Sequence, residues 1–120
     1  MLPALCSAIQ ESTGGRKVLM LLGDFNMAPD KEDFNALINQ GYVHILAGNV
    51  PTNISVTNLE GSRCYDNIWV SQDTYSTTFT GCFGVVRSGL VYQDGNNGTA
   101  TCVSDHCPVW AEFSFQARHE

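Results

Sequence analysis

The sequence predicts a mixed α/β fold in which helices alternate with strands at first and a run of strands follows. Early segments place apolar residues three and four positions apart, as in an amphipathic helix. Later segments are continuously apolar or alternate between apolar and polar residues, as in strands. The length of 120 residues, with 43% hydrophobic and 15% charged residues, suits one globular domain.

Residues 2–11 form the first predicted helix, because helical spacing puts on one face Leu2, Leu5, Cys6 and Ile9. A strand is predicted at Lys17 to Leu22, whose apolar run suits a strand covered on both faces. Gly23 then permits a sharp turn. Asp24 and Asn26 are therefore expected at the carboxyl end of a buried strand.

The second predicted helix covers residues 30–40. An acidic start precedes it, and its apolar stripe consists of Phe34, Leu37 and Ile38. Gly41 is expected to end it. The stretch from Tyr42 to Glu60 shows no clear period and is rich in turn-forming residues, so we expect a long surface loop.

Strands dominate the second half of the prediction. Cys64 to Val70 is aromatic and β-branched, which places Asp66 near the beginning of a strand. A further strand is expected at Phe79 to Val86, and Ser88 to Thr101 is expected to be a loop. The last predicted strand, Pro108 to Phe115, alternates apolar and polar residues.

Charge and cysteine content limit the functional classes. The net charge of −6, with only six basic residues, disfavours unaided binding to a polyanion, although a divalent cation held by carboxylates would reverse the local sign. Five cysteines without a Cys-x-x-Cys pair disfavour a structural zinc site and indicate reduced, mostly buried thiols.

Localisation is expected to be intracellular, nuclear or cytoplasmic. The longest apolar run, Val18 to Leu22, is far shorter than the roughly 20 residues that span a bilayer. The segment after Met1 lacks the basic leader of a secretory signal.

Two short acidic motifs carry the candidate chemistry. The first contains Asp24 and Asn26, and the second is Ser104-Asp105-His106, directly before the last predicted strand. Carboxylates, an amide and an imidazole at strand ends suit phosphate-ester hydrolysis. The alternatives are that Asp24 and Asn26 only bond their own backbone and that His106 is a satisfied structural histidine. Asp66 has the same strand-end placement.

Other notable side chains are interpreted as structural. His44 lies among apolar neighbours and is expected to be packed, and His119 lies in a polar tail. Strand spacing makes core positions the simpler interpretation for Tyr65, Trp69, Phe79, Phe83 and Trp110. Arg63 and Arg87 are isolated from each other in the sequence and form no nucleic-acid-binding stripe.

Three segments in order resemble the endonuclease/exonuclease/phosphatase superfamily, in particular its DNase I-like branch. They are Val18 to Asn26, Tyr65 to Val70 and Ser104 to Val109. The intervening Phe79 to Leu90 looks most like the branch of endonuclease/exonuclease/phosphatase family domain-containing proteins.

The resemblance implies a role for each site residue. Asp24 would orient or deprotonate the attacking water and help to bind metal, and Asn26 would donate a hydrogen bond to the phosphate. His106 would be the general base or stabilise the phosphorane, and Asp105 would bind the metal. Asp66 would orient a catalytic imidazole or sit in the outer shell of the metal. The implied metal is Mg²⁺, with Mn²⁺ or Ca²⁺ as alternatives.

The resemblance also implies a larger architecture. The family domain is about twice as long, a four-layer α/β/β/α sandwich with mixed, mostly antiparallel sheets and flanking helices. Residues 1–120 would be its carboxyl-terminal half, and the amino-terminal half would supply a glutamate that is a principal metal ligand.

The implied activity is that of a Mg²⁺-dependent phosphodiesterase, an endonuclease acting on DNA, with this chain a poorly active fragment. The alternatives are a phosphatase or lipid phosphodiesterase of the same superfamily, or a non-catalytic interaction module. The chain alone is expected to expose a sheet face and to self-associate or bind the missing half through it. Residues expected on that face are Ile68, Val70, Val109 and Ala111.

Overall fold

The computed structural model describes residues 4–5, 7–8, 11, 20–93, 95 and 98–115. The strands are β1 (Met20–Asp24), β2 (Tyr42–His44), β3 (Asp66–Ser71), β4 (Phe79–Val85), β5 (Val91–Gln93), β6 (Ala100–Cys102) and β7 (Val109–Phe113). The helices are a 3₁₀ turn at Glu32–Phe34, α1 (Asn35–Asn39) and α2 (Gln72–Thr78). The chain is therefore α/β, with antiparallel sheets and few helices in its described part.

The central sheet has the strand order β1-β3-β2, and both strand pairs are antiparallel. Every residue of β3 is buried, as its aromatic and β-branched composition predicts for a central strand. The register places Asp24 opposite Asp66, at the end of β1 and the start of β3. The two carboxylates that the sequence singles out therefore lie at the same edge of one sheet.

One face of this sheet packs against the helical segment that follows β1. Phe34 stacks on Trp69, with ring centroids 5.0 Å apart. Leu37 and Tyr42 complete this cluster, and all four side chains are almost fully buried. Phe34 and Leu37 of the predicted apolar stripe thus have the packing partner that a short helix needs, because such a helix is marginal by itself. Ile38, the third residue of that stripe, is 46% exposed, so its expected burial is wrong.

The opposite face of β3 packs against the pair β4–β7. The buried residues of this second cluster are Ile68 and Val70 of β3 together with Ile45, which follows β2. They contact partly buried side chains that include Phe79, Val109, Ala111 and Phe113. The strands β4 and β7 are antiparallel, with a register shift between Phe79 and Phe83. A third pair, β5–β6, is also antiparallel.

The predicted exposed sheet face is wrong in part. Ile68 and Val70 are buried, at 3% and 0% exposure, because β4 and β7 cover them. Val109 and Ala111 pack against the same cluster. Apolar exposure lies elsewhere in the described residues and includes Leu22, Phe83, Val103, Trp110 and Phe115.

The predicted loops contain regular structure. Strand β2 occupies the first three residues of the expected Tyr42 to Glu60 loop, and β5 and β6 lie in or overlap the expected Ser88 to Thr101 loop. Helix α2 was absent from the prediction and begins after Ser71, whose hydroxyl accepts a hydrogen bond from the Thr74 amide. A strand of three residues is too short to show a clear alternation in the sequence, and it depends on pairing with another strand.

The remaining boundaries agree within a few residues. Strand β1 extends beyond the predicted Leu22 to Asp24, and residues 17–19 lie outside the described part. Its residues Leu22 to Asp24 are exposed, so the expectation of a strand covered on both faces is wrong for them. Residues 4, 5, 7, 8 and 11 are helical, as predicted, and the other positions of the first predicted helix are not described. Within the described residues, no helix has both the length and the apolar character needed to cross a membrane.

Candidate active site

The site is built where three segments meet at one sheet edge. Asp24 is the last residue of β1, Asp66 is the first of β3, and His106 lies in the loop that enters β7. One oxygen or nitrogen atom from each of the three lies within 4.8 Å of the others. Residues 42 and 82 positions apart in sequence are thereby placed around one imidazole.

His106 makes its shortest side-chain contact with Asp66. The Nδ1 atom lies 2.7 Å from Asp66 Oδ2, and because an ionised carboxylate can only accept, Nδ1 carries the proton and donates. The opposite nitrogen, Nε2, lies 3.5 Å from Asp24 Oδ2 and 3.8 Å from Asp105 Oδ1. Asp66 therefore fixes the ring so that Nε2 faces the exposed carboxylates.

The carboxylates also set the protonation of the imidazole. The hydrogen bond that His106 donates to Asp66 raises the pKa of His106 above its ordinary value of 6.5, and the charges of Asp66, Asp24 and Asp105 act in the same direction. Partial burial opposes the rise but does not cancel it. A larger fraction of His106 is therefore imidazolium at neutral pH than for a free histidine.

Thr52 holds Asp66 in place. Its hydroxyl donates to Asp66 Oδ2 at 2.7 Å and accepts from the backbone amides of Asp66 and Tyr65 at 3.0 and 3.1 Å. Thr52 is completely buried. Asp66 Oδ2 thus accepts hydrogen bonds from both the Thr52 hydroxyl and the His106 ring, and these two bonds fix the orientation of the carboxylate.

The Thr52 segment also binds the backbone around His106. The Cys107 amide donates to the Thr52 carbonyl at 2.7 Å, and the Ile54 amide donates to the Asp105 carbonyl at 2.9 Å. The loop before β7 is therefore paired with the long loop between β2 and β3, which holds the backbone on both sides of His106.

Arg87 anchors the long loop. Its guanidinium donates to the carbonyls of Pro51, Asn53 and Leu59 at distances between 2.7 and 3.2 Å. An arginine that bonds three carbonyls has few donors left for a ligand. The sequence interpretation of Arg87 as an isolated cation missed this role, because its partners lie about 30 residues away.

Asn53 closes the base of the same loop. Its side-chain oxygen accepts from the amides of Ser62 and Arg63 at 2.7 and 2.9 Å. Gly61 has φ +77° and lies so close that a Cβ there would collide with the Asn53 carbonyl. The close approach at this turn therefore requires glycine.

Asn26 forms the local bond that the structural interpretation of its motif predicts. It has a left-handed backbone, with φ 55°, and its amide donates to Asp24 Oδ1 at 2.9 Å. This is the local turn bond of the structural alternative. Asn26 also lines the cleft that contains Asp105 and His106.

Two clefts flank Tyr65. The first, of about 330 Å³, is lined by Asn26, Asn53, Ile54, Ser55, Asn58, Tyr65, Asp105 and His106. The second, of about 450 Å³, is lined by Asn26, Met27, Ala28, Asp30, Lys31, Arg63 and Tyr65. Tyr65 is half-buried and belongs to both, so its expected core position is wrong. The expected core positions of Phe83 and Trp110 are also wrong, because these side chains are 43% and 46% exposed.

The remaining sequence candidates are placed as follows. His44 donates from Nδ1 to the Leu46 carbonyl at 2.6 Å and packs on Trp69, so its structural interpretation is confirmed. His119 lies outside the described residues. Asp105 is 88% exposed and is not part of the closest cluster of metal-capable groups, although it lies beside His106. Thr52 was missed because nothing in its loop distinguishes it.

The cysteines are free where the structure describes them. Cys64 and Cys107 are buried, Cys102 is half-buried and Cys82 is exposed. Burial and the nearby charges of Asp66 and Asp30 raise the pKa of Cys64 to about 11. The expectation of mostly buried thiols thus holds for two of these four.

The chain is similar to proteins named endonuclease/exonuclease/phosphatase family domain-containing protein 1. It is 38% identical to the one from Homo sapiens over 114 residues, which cover 93% of this chain and 20% of the human protein. The Bos taurus protein is 39% identical over 107 residues, 88% of this chain and 19% of its own length. The Danio rerio protein is 40% identical over 111 residues, 91% of this chain and 20% of its own length.

The chain therefore spans about one fifth of the length of these curated relatives. No protein-family profile and no solved structure matches it. The resemblance to the endonuclease/exonuclease/phosphatase superfamily is confirmed through these homologues.

Proposed function

We propose, from the premise that the chain is homologous to one fifth of these relatives, that it is part of a Mg²⁺-dependent phosphodiesterase. Residues 1–120 would be the carboxyl-terminal half of the catalytic domain, and the substrate would be DNA cleaved internally. The relatives' name joins nucleases and phosphatases, so it supports phosphoester hydrolysis in general. The finer assignment rests on the site.

One observation carries the proposal. His106 is held between Asp66, at 2.7 Å from Nδ1, and Asp24, at 3.5 Å from Nε2, beside a cleft. A carboxylate that orients an imidazole while the other nitrogen faces a cleft is a common arrangement for proton transfer. A purely structural histidine has no need of a second carboxylate on its exposed nitrogen.

The residues suggest a division of labour. Asp24 Oδ2 lies 3.5 Å from His106 Nε2 and would orient or deprotonate the attacking water. Asn26 would donate a hydrogen bond from its amide group to a phosphate oxygen as charge develops there. His106 Nε2 would donate to the phosphorane when the ring is protonated, or accept a proton when it is neutral.

The donor set fits a hard divalent cation. Mg²⁺ is usually held by one or two carboxylates and keeps several waters, and Asp24 and Asp105 both direct an oxygen towards His106 Nε2. Asp24 would hold the ion, and exposed Asp105 would reach it by reorienting its side chain; the ion would supply charge neutralisation at the phosphate when bound. Asp66 is engaged by His106 and Thr52, which favours its role as an orienting group.

The proposed complete domain is a four-layer α/β/β/α sandwich. Apolar side chains that this chain leaves exposed, including Leu22 at 65% and Trp110 at 46%, would be covered partly by the remaining half. That half would also supply the glutamate ligand that the family resemblance implies.

Plasmid nicking tests the proposal. The chain and a version extended upstream in the same gene are assayed with Mg²⁺ and with EDTA, each as the parent and as Asp24→Asn and His106→Asn variants. We expect Mg²⁺-dependent nicking by the extended form and a loss of at least about 10²-fold in either variant. Asp73→Asn, on exposed α2, is the matched control and is expected to keep full activity.

Different outcomes separate the alternatives. Full activity in both site variants would contradict the catalytic assignment. Hydrolysis of phosphomonoesters or phosphoinositides without nicking would indicate a phosphatase or lipid phosphodiesterase. Lack of activity towards every phosphoester tested would favour a non-catalytic interaction module.

A further inference from the structure

The second cleft adjoins the candidate active site. It shares Asn26 and Tyr65 with the first cleft, which contains His106. A ligand whose reacting phosphate lies in the first cleft can therefore extend past Tyr65 into the second if it is long enough. The other walls of the second cleft differ in charge from those of the first.

The cations of this acidic chain favour the second cleft. Lys31, Arg63 and Arg87 are the basic residues of the described ranges, and the guanidinium of Arg87 is occupied by loop carbonyls. The other two, Lys31 and Arg63, both line the second cleft. Neither side chain forms an ion pair within the described part of the structure, so both charges remain available to a ligand.

The backbone on both sides of this cleft is fixed. The Arg63 amide donates to Asn53 Oδ1 at 2.9 Å, and the Lys31 amide donates to the Ala28 carbonyl at 3.2 Å. These bonds leave both long side chains free to reorient while their attachment points stay in place. Two cationic side chains therefore extend from fixed backbone positions around a cleft of about 450 Å³.

Tyr65 separates the clefts and has a fixed backbone. Its amide donates to Thr52 Oγ1 at 3.1 Å, and its carbonyl accepts from the Phe25 amide at 2.7 Å. The ring is half-buried and lines both clefts. A nucleobase or sugar can pack on such a ring because aromatic stacking is tolerant of sequence.

We propose that the second cleft binds the nucleotide next to the scissile phosphodiester, with Lys31 and Arg63 on the flanking phosphate and Tyr65 against its base or sugar. This inference rests on the proposed function and narrows its substrate to a nucleic-acid strand. A compound with a single phosphate would occupy only the first cleft. Asp30, on the wall of the second cleft, opposes the flanking phosphate and limits affinity.

Binding of a fluorescein-labelled single-stranded DNA 12-mer tests the subsite without requiring hydrolysis. Fluorescence anisotropy is measured in Ca²⁺ buffer across a salt series. We expect the Lys31→Gln/Arg63→Gln double variant to bind about tenfold more weakly. Its salt slope should fall by about 0.7, since each phosphate that is no longer neutralised on a single strand contributes about 0.7 and both cations contact the same flanking phosphate. Asp30→Asn is expected to bind more tightly than the parent.

The matched control is Gln72→Glu/Gln93→Glu, which makes the same change in net charge at exposed positions on α2 and β5. Tyr65→Leu tests the ring and is expected to weaken binding severalfold without changing the salt slope. Soluble inositol bisphosphate is added as a competitor and is expected to displace the DNA poorly, because it has no base to place against Tyr65.

Equal loss of binding in the cleft variant and the charge control would overturn the subsite, as would an unchanged salt slope in the cleft variant. Displacement by inositol bisphosphate as effective as by unlabelled DNA would overturn the nucleotide assignment. Weaker binding in the cleft variant supports the subsite even if the protein never nicks DNA. If nicking depends on Asp24 and His106 but the Lys31→Gln/Arg63→Gln variant binds DNA as well as the parent does, the proposed function stands and the subsite is overturned.

Discussion

At the scale of single residues, Asp66 determines what His106 can do. Asp66 accepts a hydrogen bond from His106 Nδ1 at 2.7 Å and is itself oriented by a hydrogen bond from the buried Thr52 hydroxyl at 2.7 Å. The exposed nitrogen is therefore presented in one tautomer to Asp24 and Asp105. An aspartate at the start of a strand looks like a turn residue in the sequence, and only its long-range partners reveal this role.

We expect Asp66→Asn to lower the pKa of His106, because the hydrogen bond to Asp66 is the largest cause of the rise. The measurement is an NMR titration of the His106 ring protons in EDTA. The pKa of His106 in the folded state lies above 6.5, so protonated His106 stabilises the fold. This contribution is fully present below the pKa of the unfolded state and is lost as the pH rises through the pKa of the folded state. Asp73→Asn is the control, and an equal shift there would contradict the assignment.

Thr52→Val should destabilise the fold by about 1–3 kcal/mol, because it removes a buried donor to Asp66 and leaves two backbone amides without their acceptor. Urea unfolding at neutral pH measures the change. Thr57→Val is the matched control, since Thr57 is exposed and its hydroxyl bonds, among the described residues, with the Ser55 hydroxyl. A loss no larger than that of the control would argue against Thr52 as the support of Asp66.

Alkylation at pH 8 should distinguish the cysteines. Burial raises the pKa of Cys64 to about 11 and also raises the pKa of Cys107, so both thiols stay protonated and shielded. Exposed Cys82 is expected to react with iodoacetamide at least about tenfold faster, as followed by peptide mass spectrometry. Comparable labelling of Cys64 and Cys82 in folded protein would contradict this packing.

At the scale of elements, the loop between β2 and β3 joins the site to the rest of the fold. Arg87, just after β4, bonds three carbonyls of this loop, and the loop bonds the backbone on both sides of His106. The sequence predicted a loop that holds binding groups near strand ends. It could not show this pairing, because each contact joins residues far apart in the chain.

Arg87→Met should loosen this loop while keeping the aliphatic stem. Hydrogen bonds from a charged donor contribute roughly 1.5–3 kcal/mol each, so we expect amide exchange at Ile54 and Cys107 to accelerate by about tenfold or more. Hydrogen exchange followed by NMR is the measurement. Lys31→Met removes a charge without touching the loop, and equal acceleration there would show that charge alone is responsible.

The elements also show which parts of the fold a local pattern can predict. The segments with strong periodicity, β3, β7 and the helical stretch around Phe34, appear where the sequence places them. The strands β2, β5 and β6 have three residues each and depend on their partners. Helix α2 is polar, and its signal is the Ser71 cap, which a reading based on apolar spacing overlooks.

At the scale of the whole molecule, the candidate site follows from strand register. The pairing of β1 with β3 places Asp24 opposite Asp66, and the packing of β7 against β3 brings the preceding His106 loop to the same edge. The sequence predicted the residue types and their strand-end positions. Their mutual distances depend on register and sheet packing, which no single segment encodes.

The apolar surface outside the core gives the last prediction. Leu22 is 65% exposed in the middle of β1, where the facing half of the proposed domain or a second copy of this chain would cover it. We expect the chain alone to self-associate in sedimentation velocity at micromolar concentration, and Leu22→Thr to weaken association by about tenfold, since burying a leucine contributes roughly 1.5–3 kcal/mol. Leu59→Thr, exposed to 55% in the long loop, is the matched control. A strictly monomeric parent, or equal weakening in both variants, would show that β1 is not the contact surface.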